Sequence, residues 1–136
     1  MSEYHQVEVD FQDEECLVEA IKELNANYKP EIHKEAVNLF GYHGDRRQEK
    51  AHIVIPRKQI SSASNDVGFL KNAKGGYEMI VSAYDKGIFT PAQINKLKQL
   101  YAKNTIVKHT KKSKHKIRSQ EVQADGSIKI RVRVRE

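Results

Sequence analysis

Cysteine is nearly missing from this chain of 136 residues, with Cys16 the only one. A lone thiol excludes an internal disulfide and any zinc ribbon built on cysteine pairs. It also points to a reducing compartment, the cytoplasm or its equivalent. Tryptophan is absent, and no aromatic residue occurs from Lys103 to Glu136. The far end of the chain therefore lacks rings on which nucleic-acid bases could stack. No apolar run approaches the ~20 residues of a membrane-spanning helix, so no membrane partner is expected. The N-terminus lacks the basic start and apolar stretch of a secretory signal.

Charge is what the chain has in quantity. Charged residues make up 31% and hydrophobic residues 38%. That balance supports a folded core, and the length fits one domain over residues 1–136. The net charge of +6 is unevenly spread. Beyond residue 100, eleven Lys and Arg stand against three Asp and Glu, while acids outnumber bases before it. The stretch 108–136 is thus a basic end of the same domain, suited to an anionic partner or simply to water.

The order of elements follows from pattern. Val7, Val9 and Phe11 alternate with polar residues and predict a strand over Tyr4 to Phe11. Asp13 is placed to cap a helix whose apolar stripe is Cys16, Leu17, Ala20, Ile21 and Leu24. Cys16 on that stripe reads as a buried small hydrophobe. Ala36 to Phe40 and Ala51 to Pro56 predict two strands around a polar loop, Gly41 to Lys50. Arg57 to Asn65, rich in Ser and Asn, reads as a mobile loop.

Asp66 to Asp85 is the centre of the pattern. Two apolar strands flank a turn in which Gly75 and Gly76 are free to take positive φ. Val67 and Phe69 share one side of the first strand. Tyr77, Met79 and Val81 share a face of the second, with Ile80 and Tyr84 opposite. Thr90-Pro91-Ala92-Gln93 is a capping box opening a second helix, with Ile94, Leu97, Leu100 and Tyr101 as its buried stripe. A final hairpin follows. A three-residue loop at Ala124-Asp125-Gly126 pairs Val122 with Ile128 and Glu121 with Lys129, matching like with like. A two-residue turn would not. Ile128, Ile130, Val132 and Val134 are expected in the core. The fold class is α+β, order β-α-β-β-β-β-α-β-β, a mainly antiparallel sheet with two helices packed on it.

Chemistry is less legible. The six histidines are scattered, and none has the i, i+4 spacing of a helical zinc site. His43 and Asp45, with His52 across a hairpin, could form a small metal or acid-base site, but a polar turn is the favoured reading. Gly75-Gly76 precedes no helix and is not a phosphate loop. No cofactor, metal or catalytic residue is expected. The candidate binding residues are basic: Lys111, Lys112, Lys114, Lys116, Lys129, Arg131, Arg133 and Arg135. Together they could grip phosphates or an acidic protein, or serve as the solvated face of an edge strand.

A further set of motifs carries a family resemblance. Glu15-Cys16-Leu17 with Ala20 and Leu24, Gly41-Tyr42, Ala51-His52-Ile53-Val54-Ile55, Asp66-Val67-Gly68-Phe69, Tyr77-Glu78, Tyr101-Ala102 with Thr105, and Asp125-Gly126-Ser127-Ile128 occur in order along the chain. In this order they resemble the Ycf-thirty-five-type family of chloroplast, cyanobacterial, bacterial and phage reading frames. The resemblance implies no enzymatic activity. It implies an interaction or adaptor module, a component of a larger assembly, with AAA+ ATPases of the MoxR-like type and their companions as partners. Nucleic-acid binding through the basic C-terminal surface is the alternative, and a small enzyme around residues 41–52 the third reading. Ala83-Tyr84-Asp85 stands where that family carries a tryptophan-rich stretch.

Overall fold

Alternating Val7, Val9 and Phe11 make β1 (Tyr4–Phe11), and Asp13 starts α1 (Glu14–Leu24) by accepting the Cys16 amide at 3.0 Å. The computed structural model describes residues 3–112, 115–122 and 128–134, with side chains from residue 3 to 110 apart from that of Glu8. The chain continues through β2 (Glu31–Phe40), β3 (Arg46–Ile55), α2 (Arg57–Ile60), β4 (Val67–Lys71) and β5 (Tyr77–Ser82). A 3-10 turn (Tyr84–Gly87) leads to α3 (Pro91–Lys112), then β6 (His115–Val122) and β7 (Ile128–Val134). Thr90 caps α3 as its sequence predicts, with Oγ1 accepting the Gln93 amide at 3.2 Å.

The fold is α+β. Five antiparallel strands lie in the order β1-β5-β4-β3-β2, and the expected central hairpin is indeed internal. Its helix-covered face is the main core: Phe11, Ile53, Ile55, Val67, Phe69, Tyr77, Met79 and Val81 meet Leu17, Ala20 and Ile21 of α1 and Leu97 of α3. Fully burying each large aliphatic side chain contributes ~1.5–3 kcal/mol. Tyr101 of α3 locks the helices to the sheet. Its ring meets Phe11 edge-on, and its hydroxyl accepts the Gln12 and Asp13 amides at 2.7 and 2.9 Å. Those amides precede α1 and would otherwise lack a partner.

The opposite face is closed without a helix. β3 pairs with β4 only at Ile53, Val54 and Ile55, so its first half can leave the sheet plane. The β2–β3 hairpin folds back over β4, placing Leu39 and Ala51 against Gly68. A Cβ added at Gly68 would lie 2.5 Å from Ala51 Cβ and 3.0 Å from Leu39 Cδ2. Leu39, Ala51, Val54 and Ile80 form the resulting second core, with Tyr4, Val37 and Leu70 at its margin. The Arg47 guanidinium lies 4.9 Å over the Tyr4 ring, so the hairpin reaches across to β1.

Several sequence expectations change. β2 and β3 begin earlier than Ala36 and Ala51. β5 ends at Ser82, so Tyr84 belongs to the 3-10 turn and not to a strand face. Gly75 takes φ +86°, whereas Gly76 is not among the positive-φ glycines. The segment read as a mobile loop holds α2 and the fully buried Ser64 and Asn65. Gln59 pins it by accepting the Lys29 amide at 2.7 Å and donating to the Lys29 carbonyl at 3.1 Å.

The last hairpin has the expected register, Val122 opposite Ile128 and Glu121 opposite Lys129. Its turn, 123–127, lies outside the described residues. So does the burial of Ile128, Ile130, Val132 and Val134. By backbone pairing, β6 and β7 form a two-stranded sheet of their own that contacts α3.

Gly68→Ala should destabilise the protein by ~1–3 kcal/mol, the usual range for overpacking. Gly87→Ala, where nothing lies within 4 Å of the added carbon, should stay within ~0.5 kcal/mol of the parent. Urea unfolding of both variants checks this. Equal midpoints would mean that the hairpin does not rest on Gly68.

Candidate functional site

The folded-back hairpin brings its tip to the start of β4, and polar side chains hold it there. Asp66 is buried, with each carboxylate oxygen bound to a backbone amide: Arg57 at 2.8 Å and Phe40 at 2.9 Å. The Asp66 amide returns to the Phe40 carbonyl at 2.9 Å, and the Tyr4 hydroxyl donates to the Asp66 carbonyl at 2.8 Å. Burial pushes the Asp66 carboxyl above its ordinary range, while the Phe40 and Arg57 amides pull the other way. Burial likewise raises Tyr4, which keeps its phenol a neutral donor.

Asn65 extends this node. Its Oδ1 accepts the Tyr42 amide at 2.9 Å, and its Nδ2 donates to Ser82 Oγ at 2.9 Å and to Asp85 at 3.2 Å. Asp85, fully buried, takes three donors on Oδ2: the Asn65 amide, Asn65 Nδ2 and Ser82 Oγ. Its Oδ1 has no hydrogen-bond partner among the described residues. The node therefore fixes the hairpin tip and the turn after β5 to one point. Exposed apolar side chains surround it: Phe40, Tyr42, Tyr84 and Ile88. Arg57 Nη1 donates to the Tyr42 carbonyl at 3.1 Å.

Beside the node, edge strand β2 carries a recess of about 320 Å³ lined by Val37, Phe40, Val54, Glu31, His33 and Arg46 among others. Ile32, near the far end of β2, is 52% exposed. A larger groove, about 620 Å³, lies between β1 and α3 over Phe11 and Tyr101, rimmed by Asp10, Glu78 and Lys98. A third, about 530 Å³, separates α1 from α3 and touches Cys16.

The structure places the residues named from sequence as follows. His43 and Asp45 share the hairpin tip. The His43 ring packs against Tyr42 at 3.8 Å between centroids, tilted by 38°, and the Asp45 carboxylate packs over Gly41. His52 sits on β3 with Nδ1 accepting the Lys71 amide at 3.1 Å, a structural bond across the sheet. Among the described residues, no three His, Cys, Asp or Glu side chains gather around a metal-sized space. Cys16 is buried on α1, and burial beside Asp13 raises its thiol pKa. Lys108 of the basic run reaches Asp13 at 2.7 Å and Glu15 at 3.3 Å, so it serves the α1–α3 contact.

Lys111 and Lys112 end α3, Lys116 lies on β6, and Lys129, Arg131 and Arg133 lie on β7. Pairing sets Lys116 opposite Arg133 and Lys129 opposite Glu121. Lys114 and Arg135 are outside the described residues. Sequence reasoning missed the Asn65–Asp66–Asp85 node, whose only signal was an unusual density of Ser, Asn and Asp before β4.

The family model described as "Protein of unknown function (DUF1257)" matches residues 20–131, from within α1 to within β7. No curated protein and no solved structure matches the chain. No described helix is long and apolar enough to cross a membrane.

The Asp66 carboxyl yields a pH test. A carboxyl whose pKa is raised on folding adds stability below its unfolded value, about 3.9, and that contribution is lost as pH rises through the folded value. Asp66→Asn removes this dependence and also leaves one buried amide without an acceptor, a loss of ~1–3 kcal/mol. The parent should exceed Asp66→Asn in stability at every pH, by a margin that narrows from pH ~3 toward neutrality. Urea midpoints across that range test it. A margin that widens with pH would show that the two amides outweigh burial.

Proposed function

The chain belongs to the DUF1257 family of proteins of unknown function, and we propose that it acts as a non-enzymatic interaction module within a larger assembly. The observation that carries this reading is the β2 edge. β2 pairs only with β3, presents Ile32 and Phe40 to solvent, and borders the recess over Val37 and Val54. Exposed apolar side chains around a recess on a stiff scaffold are what a protein partner desolvates. β2 also carries three extra residues between Ile32 and Val37 relative to β3. A bulge of that size interrupts continuous strand addition, so the partner is held by side chains and not by an added strand.

The finer family label follows the same logic. The ordered motifs point to the Ycf-thirty-five type within DUF1257, and so to an AAA+ ATPase of the MoxR-like type as the partner. The cytoplasm, or an equivalent reducing compartment, remains the proposed location, since Cys16 has no partner for a disulfide within the chain. A second reading keeps nucleic acid at the C-terminal hairpin. It is favoured by the register that sets Lys116 opposite Arg133, two like charges that an anion would relieve.

The test uses the purified protein and the AAA+ ATPase encoded nearest to it in its own genome. A saturable complex is expected, weakened at least about tenfold by Ile32→Asp with Phe40→Ser, as hot-spot truncation commonly does. Thermal unfolding of the variant should stay within a few degrees of the parent's, because Ile32 and Phe40 are 52% and 42% exposed and neither belongs to the two buried cores. No complex, or a complex indifferent to the two changes, would remove the β2 edge from the proposal.

A further inference from the structure

We propose that the end of the sheet formed by the hairpin tip and the turn after β5 binds single-stranded nucleic acid by stacking bases on Tyr42 and Tyr84. This surface adjoins the β2 recess, with which it shares Arg46, and is separate from the C-terminal hairpin. It also takes a different ligand from the protein partner of the β2 edge. Tyr42 is 39% and Tyr84 58% exposed, and the His43 ring packs against Tyr42 at 3.8 Å, tilted by 38°, so a base would use the face of Tyr42 away from His43.

The platforms are held in place. The Tyr42 amide is bound by Asn65 Oδ1 and its carbonyl by Arg57 Nη1. The tip closes through Gly41 to Asp45 at 2.8 Å and Gly44 to Gly41 at 2.8 Å, with Gly44 at φ +78°. Tyr84 precedes Asp85, whose carboxylate grips Asn65. Rings carried on a backbone fixed before binding have only their own side-chain freedom to lose on contact.

Charge at this end is sorted by direction. Asp66 and Asp85 are buried and occupied by internal donors, and Asp45 turns onto Gly41 with Oδ2 out of reach of solvent. The neighbouring cations point outward. Arg46 donates to Asn38 Oδ1 and Arg57 to the Tyr42 carbonyl, both neutral acceptors, and Lys58 and Lys86 are exposed. Of the nearby exposed acids, Glu31 lies 3.3 Å from His33, and Glu3 flanks the turn after β5. An anion with flat faces fits open rings beside guanidinium groups. An acidic peptide would meet the same cations but offers no flat ring to lay on Tyr42 and Tyr84. A duplex hides its base faces, so the surface selects single strands, with little preference for sequence.

The test is a fluorescence anisotropy titration of the full chain at about 150 mM salt, where distant charges are already screened. The probes are an oligothymidine and an oligouridine of about fifteen nucleotides, near the upper site size of single-strand folds, a duplex of the same length, and an oligoglutamate peptide. Single strands should bind more tightly than the duplex. Tyr42→Ala with Tyr84→Ala should weaken them about tenfold or more, in line with alanine substitution at stacking sites. Tyr42→Phe with Tyr84→Phe should bind as the parent does, which separates stacking from any loss of fold. Arg131→Glu with Arg133→Glu should leave the preference for single strands unchanged. Absence of binding, a preference for duplex, equal affinity of the alanine variant, or displacement of the oligonucleotide by oligoglutamate at comparable concentration would each overturn the proposal. Ile32→Asp, at the far end of β2 from Tyr42, reports on the protein partner alone, so failure of one proposal leaves the other standing.

Discussion

The fold depends on the β2–β3 hairpin lying across β4, and that depends on one missing side chain and one buried carboxylate. Gly68 leaves the space into which Leu39 and Ala51 close. Asp66 then ties the descending end of the hairpin, at Phe40, to the start of α2, at Arg57. A sheet with helices on one face would otherwise leave Val54 and Ile80 in water. Folding the sheet's own edge over that face buries them to below a tenth of their exposure without a third layer. It also carries residues 41–45 from the far end of a ten-residue strand back to the entry of β4.

Burying a carboxylate is unfavourable unless donors replace water. The node meets this unevenly. Asp66 has a donor on each oxygen, and Asp85 has three on one oxygen and none on the other. The consequence is specificity of position. The five donors come from four segments: β2, α2, Asn65 before β4, which gives two, and Ser82 at the end of β5. Any shift of the hairpin along β4 breaks several of these bonds at once, so the tip has one seat. Because Asp66 and Asp85 are spent internally, Arg46, Arg57, Lys58 and Lys86 outnumber the exposed acid, Glu3, on the outer surface of this end. The same interactions thus set the fold and the sign of the surface.

Local chemistry was legible in the sequence where one segment determines its own structure. Asp13 and Thr90 cap helices because a cap needs only the next three residues. The alternation of Met79, Ile80 and Val81 assigns two faces, and the two cores divide along that line. Pairing like with like recovered the β6–β7 register. The fold-back of the hairpin was not legible, because Leu39, Ala51 and Gly68 reveal their fit only once three strands are assembled. Ser64, Asn65 and Asp66 looked like a solvated loop for a related reason. Composition reports polarity but not whether the polar groups find one another. The search for sites followed the density of lysine and arginine and so went to residues 108–136. The aromatic end is built from separate stretches, 40–46, 57–58 and 84–88, and none of them is conspicuous alone.

An exposed sheet edge invites uncontrolled pairing, and the five-stranded sheet has two of them, β1 and β2. Both are irregular in the same sense. β1 inserts two extra residues between Val7 and Phe11 relative to Met79 and Tyr77 of β5, and β2 inserts three between Ile32 and Val37. Each bulge interrupts the row of main-chain donors and acceptors that another chain would need. Contacts with partners must then be made by side chains, which select among partners where backbone does not. The aromatic end satisfies this condition more fully than either edge. The Tyr42 amide and carbonyl are already bound by Asn65 and Arg57. At that position a strand finds no free backbone group, and the ring and the nearby charges are what it offers.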